Sequence, residues 1–306
     1  MQSATRVAIV LLAAALSVPT GAQLTRAPAA LAVSAAPLPP LDAATRLLVV
    51  APHPDDETLC CGGIIQRVLA AGGEVSVLWI TSGDAARWDL LLLERALFND
   101  PAKGRALGEQ RMAEARAAAA QLGVPPAAQL FLGYPDGGVS ALLDAAAVPY
   151  TSATTGAAAV PYAQALFPGH PYTGASLEHD FAAVLSRLQP TLILAPGLAD
   201  LHPDHRATGR LTLAVAARLG LSARVRWWIV HGGLGWPAPR QLMPGVPLFP
   251  APAAAGLASA AFALTPAEEE HKRLALAAHA SQMQMMAPFL LAFVRSNELF
   301  MPRAAP

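Results

Sequence analysis

Short, uninterrupted apolar runs separated by helical stretches constrain this chain most. Residues 46–51 (RLLVVA) and 191–195 (TLILA) show no alternation, as strands buried on both faces require. Residues 74–81 (EVSVLWIT), 129–132 (QLFL) and 225–230 (VRWWIV) read as three further strands. Helices are expected at 64–71, 104–122, 177–188 and 204–219, with stops such as Gly72-Gly73 and Gly123 ahead of Pro125-Pro126. Thr265-Pro266 marks one more helix start, with Thr265 as N-cap. This alternation implies right-handed crossovers and an α/β fold, a Rossmann-like, mostly parallel β-sheet flanked by helices. Ligands then bind beyond the carboxyl ends of the strands. Two long irregular segments, 136–176 and 232–264, are rich in Gly and Pro. The first follows a strand directly, which puts it over the expected site as an active-site loop.

The N-terminus reads as an export signal. Arg6 precedes an apolar run of 12 residues (7–18), then Pro19 and small residues lead to a cleavage point before Gln23. The run is shorter than the ~20 residues that span a bilayer. Cleavage, with no stable membrane insertion afterwards, is therefore preferred to an uncleaved anchor. The expected organisation is a signal peptide at 1–22, an Ala/Pro-rich linker at 23–40 and a single domain at 41–303, acting in the periplasm or outside the cell. With 21 basic and 21 acidic residues, the chain lacks the positive footprint of a nucleic-acid partner. Cys60 and Cys61 are adjacent, so they close no useful loop and no disulfide framework supports the fold. They read as small buried packing residues, and Gly62-Gly63 as a close approach of helix to sheet.

The most informative stretch follows the first strand: His53-Pro54-Asp55-Asp56-Glu57. Crowded carboxyl groups at a buried strand end repel one another, and a divalent cation relieves that repulsion while also accepting neutral imidazole. A second cluster, His202-Pro203-Asp204-His205, follows the fourth strand and so reaches the same rim. Two histidines plus one carboxylate form a common ligand set for catalytic zinc, with a position left for water. A His-Pro-Asp triplet alone is more often a turn, but two of them at two strand ends are hard to read as accidents. Glu57 fits equally well as a first-turn carboxylate favoured by the helix dipole. Asp204 either orients a histidine or caps the helix.

These two motifs resemble the signatures of the PIG-L/LmbE deacetylases, which act on N-acetylglucosamine-type sugars. Gly108-Glu109-Gln110-Arg111-Met112-Ala113-Glu114 resembles that family's Arg-x-x-Glu helix, and Leu132-Gly133-Tyr134-Pro135-Asp136-Gly137 its loop after the third strand. The resemblance covers about residues 46–220 and fades in the C-terminal third. It implies that His53, Asp56 and His205 bind Zn²⁺, or another divalent metal such as Fe²⁺. Asp55 would be the general base, and His202 would stabilise the oxyanion or protonate the departing amine. Arg111 and Asp136 would hold the substrate, a small molecule or glycan. Some family members carry a tyrosine two residues before the first histidine of the second motif, where this chain has Asp200. A zinc amidohydrolase for another acyl group or a non-sugar amine is the alternative, as is a catalytically silent carbohydrate-binding protein. A dinucleotide-binding protein is excluded, because His53-Pro54-Asp55-Asp56 stands where the Gly-rich turn belongs.

Other residues invite weaker readings. Asp84 and His231 follow strands and fit the rim as substrate contacts, or as a turn aspartate and a satisfied strand-end histidine. Trp227 and Trp228 face opposite sides of a strand, so at most one stacks on ligand. His279 with Met283, Met285 and Met286 reads as a packed helical face, and His170 with Tyr172 as lid contacts.

Overall fold

The computed structural model describes residues 38–85 and 100–303; the expected leader and most of the linker lie outside the described residues. Five parallel strands form the main sheet: β1 (Arg46–Ala51), β2 (Glu74–Thr81), β3 (Gln129–Tyr134), β4 (Leu192–Pro196) and β5 (Val225–Trp228). Helices α1 (Asp56–Ala70), α2 (Pro101–Gln121), α3 (Val139–Asp144), α4 (Gly174–Leu188) and α5 (Pro203–Arg218) connect them. A C-terminal unit adds β6 (Ala260–Ala263), α6 (Pro266–Ala278), α7 (Ala280–Leu291) and β7 (Asn297–Phe300).

The strand order is β3-β2-β1-β4-β5. The chain winds outward from β1 through β2 to β3, then returns to build β4 and β5 on the other side. Connections after β1 and β4 therefore diverge, opening a crevice at their carboxyl ends. Both histidine motifs begin there. β1 is the central strand, and Leu47 to Ala51 are at most 2% exposed. Its unbroken apolar run follows from that position, since both faces are covered by helices.

Several expectations change. The first helix begins at Asp56, not residue 64, so Asp56 and Glu57 form its first turn. Apolar periodicity missed that turn because polar contacts bury it. Gly62 and Gly63 serve a close approach to the C-terminal unit, not to the sheet. A Cβ at Gly63 would lie 2.1 Å from Leu264 Cδ2, and one at Gly62 would lie 3.0 Å from Lys272 Cγ. Cys60 and Cys61 are bonded to each other as a vicinal disulfide, buried in α1.

The two irregular segments hold more structure than their composition suggests. The first contains α3 and is closed by a bridge between Ala159 and Pro171. Its Tyr172 is buried and donates to the Gly133 carbonyl at 3.0 Å, while His170 pairs with Asp180 at 2.9 Å. Both are structural struts, not lid contacts. The second segment supplies β6, antiparallel to β7. AAFA lacks the β-branched residues that signal a strand, so pairing with β7 supplies what propensity does not. Met301, just past β7, exchanges two backbone hydrogen bonds with Trp227 and so covers the β5 edge.

Buried polar contacts dock the C-terminal unit. Glu298 on β7 accepts from the Gly63 and Ile64 backbone N–H groups and from Lys272 Nζ at 2.7, 3.0 and 2.8 Å. His279, between α6 and α7, lies 3.0 Å from Glu57 Oε1. Glu57 also accepts from Thr58, Trp79 Nε1 and the Asp55 N–H. Burial opposes ionisation of Glu57, but the His279 charge outweighs it and lowers its pKa. Burial likewise pulls His279 down, and the Glu57 charge raises it overall.

The pair should therefore contribute most between the usual values of 4.5 for glutamate and 6.5 for histidine. The depressed carboxyl loses its contribution as pH falls through its folded pKa. The raised imidazole loses its own as pH rises through its folded pKa. Thermal unfolding of His279→Gln should show a Tm lower by roughly 5 °C near about pH 5.5, with the gap narrowing toward about pH 9. A gap independent of pH would contradict this pairing.

Candidate active site

The turn after β1 is held against its own preference. Asp55 has φ 126°, a region that side chains other than glycine rarely enter. Its N–H donates to Glu57 Oε2 at 3.0 Å, and Arg111 Nη2 donates to the Pro54 carbonyl at 2.8 Å. Thr81 grips the Pro52 carbonyl through both its N–H and its hydroxyl. These bonds fix the strained turn and place His53, Asp55 and Asp56 on the crevice.

His53 Nδ1, Asp56 Oδ2 and His205 Nε2 converge. They are 3.3 Å (His53–Asp56), 3.2 Å (His205–Asp56) and 3.3 Å (His205–His53) apart. Ligands about 2.0–2.1 Å from a tetrahedral ion lie roughly 3.3–3.4 Å from one another, so this triangle has the dimensions of three such ligands. Each imidazole has carboxylates at its far nitrogen. Asp200 Oδ2 is 3.1 Å from His205 Nδ1, while Asp136 Oδ1 and Asp204 Oδ2 are 3.3 and 3.4 Å from His53 Nε2. Protons on the far nitrogens satisfy those carboxylates and turn both near lone pairs toward the centre of the triangle.

Electrostatics point the same way. Burial lowers the His53 pKa, but Asp136, Asp204 and Asp56 outweigh it and raise it well above the ordinary value. His205, also opposed by burial, is pushed up to about 9 by Asp200 and Asp56. Burial resists ionisation of Asp56 as well, yet His205 and His53 hold it well below the usual range. Positive charge is what this cluster demands, and protons supply it when no cation does.

Asp55 stands beside the triangle. Burial first, partly offset by Arg111, pushes its carboxyl up to about 7. Arg111 spends its donors on the Gly83 and Pro54 carbonyls at 2.9 and 2.8 Å and approaches Asp55 Oδ2 at 3.4 Å. It thus props the turn from the cavity wall. Gly83 permits this: its φ is +72°, and a Cβ there would lie 2.4 Å from Arg111 Nη1.

His202 caps α5, its Nδ1 accepting the Asp204 N–H at 3.2 Å. Burial and the charges of His53, His205 and His231 depress it to about 3. Of the two readings of Asp204 the cap falls to His202, and its own contacts match the orienting one: its Oδ2 lies 3.4 Å from His53 Nε2 and accepts the Gly137 N–H at 2.7 Å. Asp136 is held down despite burial by His53 and Arg111, and so is ionised.

The cavity, about 170 Å³, is lined by His53, Asp55, Asp56, Arg111, Asp136, His202 and His231, with an apolar wall of Leu59, Val230, Met286 and Phe289. A narrower apolar cavity behind Trp228 shares only Leu59 with it. Trp227 and Trp228 are buried, and neither lines the site cavity.

Two carboxylates had roles that spacing alone did not reveal. Asp200, five residues before His205, is fully buried and accepts from the His202, Val230 and His231 N–H groups besides facing His205. Asp84 lies behind the site, not in a surface turn. It accepts from Tyr162 Oη at 2.9 Å and from the Asp136 N–H at 3.1 Å, and burial pushes it up to about 7.

Residues 48–216, more than half of the chain, match the family described as GlcNAc-PI de-N-acetylase, PIG-L. A 1D-myo-inositol 2-acetamido-2-deoxy-alpha-D-glucopyranoside deacetylase from Actinosynnema mirum is 36% identical over 180 residues, covering 58% of this chain and 57% of the relative. One of the same name from Mycobacteroides abscessus is 28% identical over 257 residues, covering 78% and 81%. The chain spans little more than half the length of the first relative. Among solved structures, a deacetylase of the teicoplanin biosynthesis pathway has TM-score 0.54 at 20% identity, covering 84% of this chain and 97% of that one. N,N'-diacetylchitobiose deacetylase from Pyrococcus horikoshii has TM-score 0.51 at 20% identity, covering 85% and 84%. Both structures share this chain's fold. The chain belongs to the GlcNAc-PI de-N-acetylase family.

Proposed function

We propose that the protein is a metal-dependent hydrolase that removes the acetyl group from an N-acetylated amino sugar. The observation that carries this is the triangle of His53, Asp56 and His205 lone pairs with a separate carboxylate, Asp55, beside it. Two imidazoles and one carboxylate suit zinc, and Fe²⁺ shares the preference for this donor set. The names of the relatives support the amino-sugar reading.

A divalent ion held by His53, Asp56 and His205 would acidify water and polarise an acyl oxygen. The chain's own groups do the rest. Asp55, with its pKa near 7, is matched both to take a proton from water and to return it to the departing nitrogen. Burying that carboxylate raises its basicity; Arg111 keeps it aimed. His202 is neutral, and with Nδ1 occupied it carries its proton on Nε2. It is therefore suited to stabilise developing negative charge by a hydrogen bond. Asp136 is ionised and faces the cavity, which suits it to a sugar hydroxyl or to the amine once formed. The leader-like N-terminus supports a substrate beyond the cytoplasmic membrane.

Acetate release from a panel of N-acetylated sugars should require metal and stop on chelation. Asp55→Asn should lower kcat by roughly 10²–10⁴-fold with metal content intact, whereas His205→Ala should lose both. Turnover that survives chelation, or an active Asp55→Asn protein, would overturn the reading. Zinc uptake at about pH 7 should release between about one and two protons, because His53 and His205 hold raised pKa values that the ion must displace. Calorimetry in buffers of different ionisation enthalpy measures this, and uptake without proton release would contradict it. N-terminal sequencing of the exported protein should find Gln23 first; an intact Met1 would exclude cleavage.

A further inference from the structure

His231 has a position that the chemistry above leaves unused. It lies three residues beyond β5 and is pinned at both backbone groups to the loop that leads into the second motif. Its N–H donates to Asp200 Oδ2 at 3.1 Å, and its carbonyl accepts the Leu201 N–H at 2.9 Å. Its ring lies against Phe289 with a 16° interplanar angle, 5.0 Å from the His202 ring and 4.6 Å from the His205 ring. It also lines the cavity. Neither ring nitrogen is hydrogen-bonded to any described residue. His231, Asp56 and His205 each offer an atom within 4.8 Å of the others'. Here an imidazole on the cavity wall is held at its backbone and stacked on one face, and its ring nitrogens are left without a partner among the described residues.

We propose that His231 donates a hydrogen bond to the acyl oxygen of the substrate as the acyl carbon becomes tetrahedral. This assignment rests on the hydrolytic reading above and adds a residue to it. Water oxygen bonds to the acyl carbon, and the carbonyl π pair moves onto the oxygen that His231 holds. The carbon–nitrogen bond then breaks, that pair re-forms the carbonyl, and the proton taken by Asp55 passes to nitrogen. The division of labour follows from placement. The His231 and His202 rings are neighbours, 5.0 Å apart, and share the lining of the cavity with Asp55 and Arg111. The backbone anchors and the Phe289 stack hold the ring in place before reaction, so little reorganisation is needed as charge develops. Asp200 couples the two jobs, since one carboxylate anchors the His231 backbone and the His205 ring.

The test compares zinc-loaded wild type with His231→Phe, which keeps a ring against Phe289, and with His231→Gln, which restores an N–H donor. In His231→Phe, kcat should fall about 100-fold with KM for an N-acetyl sugar changed less than about threefold, and zinc stoichiometry should be unaltered. Affinity for methylphosphonate, a tetrahedral anion resembling the hydrated acyl group, should fall by at least about tenfold, and His231→Gln should recover part of both losses. Loss of zinc from His231→Phe would overturn the proposal by making His231 a ligand. So would a kcat within about threefold of wild type, or unchanged methylphosphonate affinity. Methylphosphonate binding needs no turnover. A wild-type protein that releases no acetate would therefore defeat the hydrolytic reading, while the binding comparison still decides whether His231 holds this oxygen.

Discussion

Negative charge buried where β1 and β4 diverge is the constraint around which the molecule is arranged. Asp56, Asp200 and Asp204 are almost wholly excluded from solvent, and Asp55 and Asp136 nearly so. Carboxylates in such surroundings must gain protons, hydrogen bonds or cations. Backbone N–H groups of His53, Gly137, Val230 and His231 supply some of that compensation, and Arg111 supplies more. What remains is concentrated between two imidazoles and Asp56. The sheet makes this possible because its winding order leaves the two motif-bearing loops adjacent but free of each other.

The same economy of contacts explains why the C-terminal unit matters to a site it barely enters. Glu57 is the residue that translates one into the other. It receives the Asp55 N–H, which holds the positive φ, and its other oxygen meets His279 at the α6–α7 junction. Glu298 and Lys272 clamp the next turn of α1 to the same unit. A strained backbone at a reactive carboxylate persists only when its surroundings over-determine it, and here those surroundings come from both ends of the chain.

The parallel sheet and the meeting of the two histidine motifs at one rim were legible because they obey local rules. β1 and β4 are apolar without alternation, and each ends at a histidine-rich turn. Elements whose stability comes from partners were not legible. β6 is AAFA and exists because β7 pairs with it, and the first turn of α1 is buried by polar contacts instead of an apolar stripe. The disulfide between Cys60 and Cys61 likewise had no spacing signal. Asp200 is the instructive case. In the sequence it marks only the position of a tyrosine found in some relatives, whereas in space it orients His205 and anchors His231. Its partners lie on a different strand, so no local pattern announces them.

A crystal structure of the protein grown with zinc, with the metal identified at its absorption edge, is the most direct measurement. The expected result is one ion bonded to His53 Nδ1, Asp56 Oδ2 and His205 Nε2, with a position open to solvent on the side of Asp55. An ion bound elsewhere, or these three side chains turned away from a common centre, would contradict the reading of this crevice as a metal-dependent hydrolytic site.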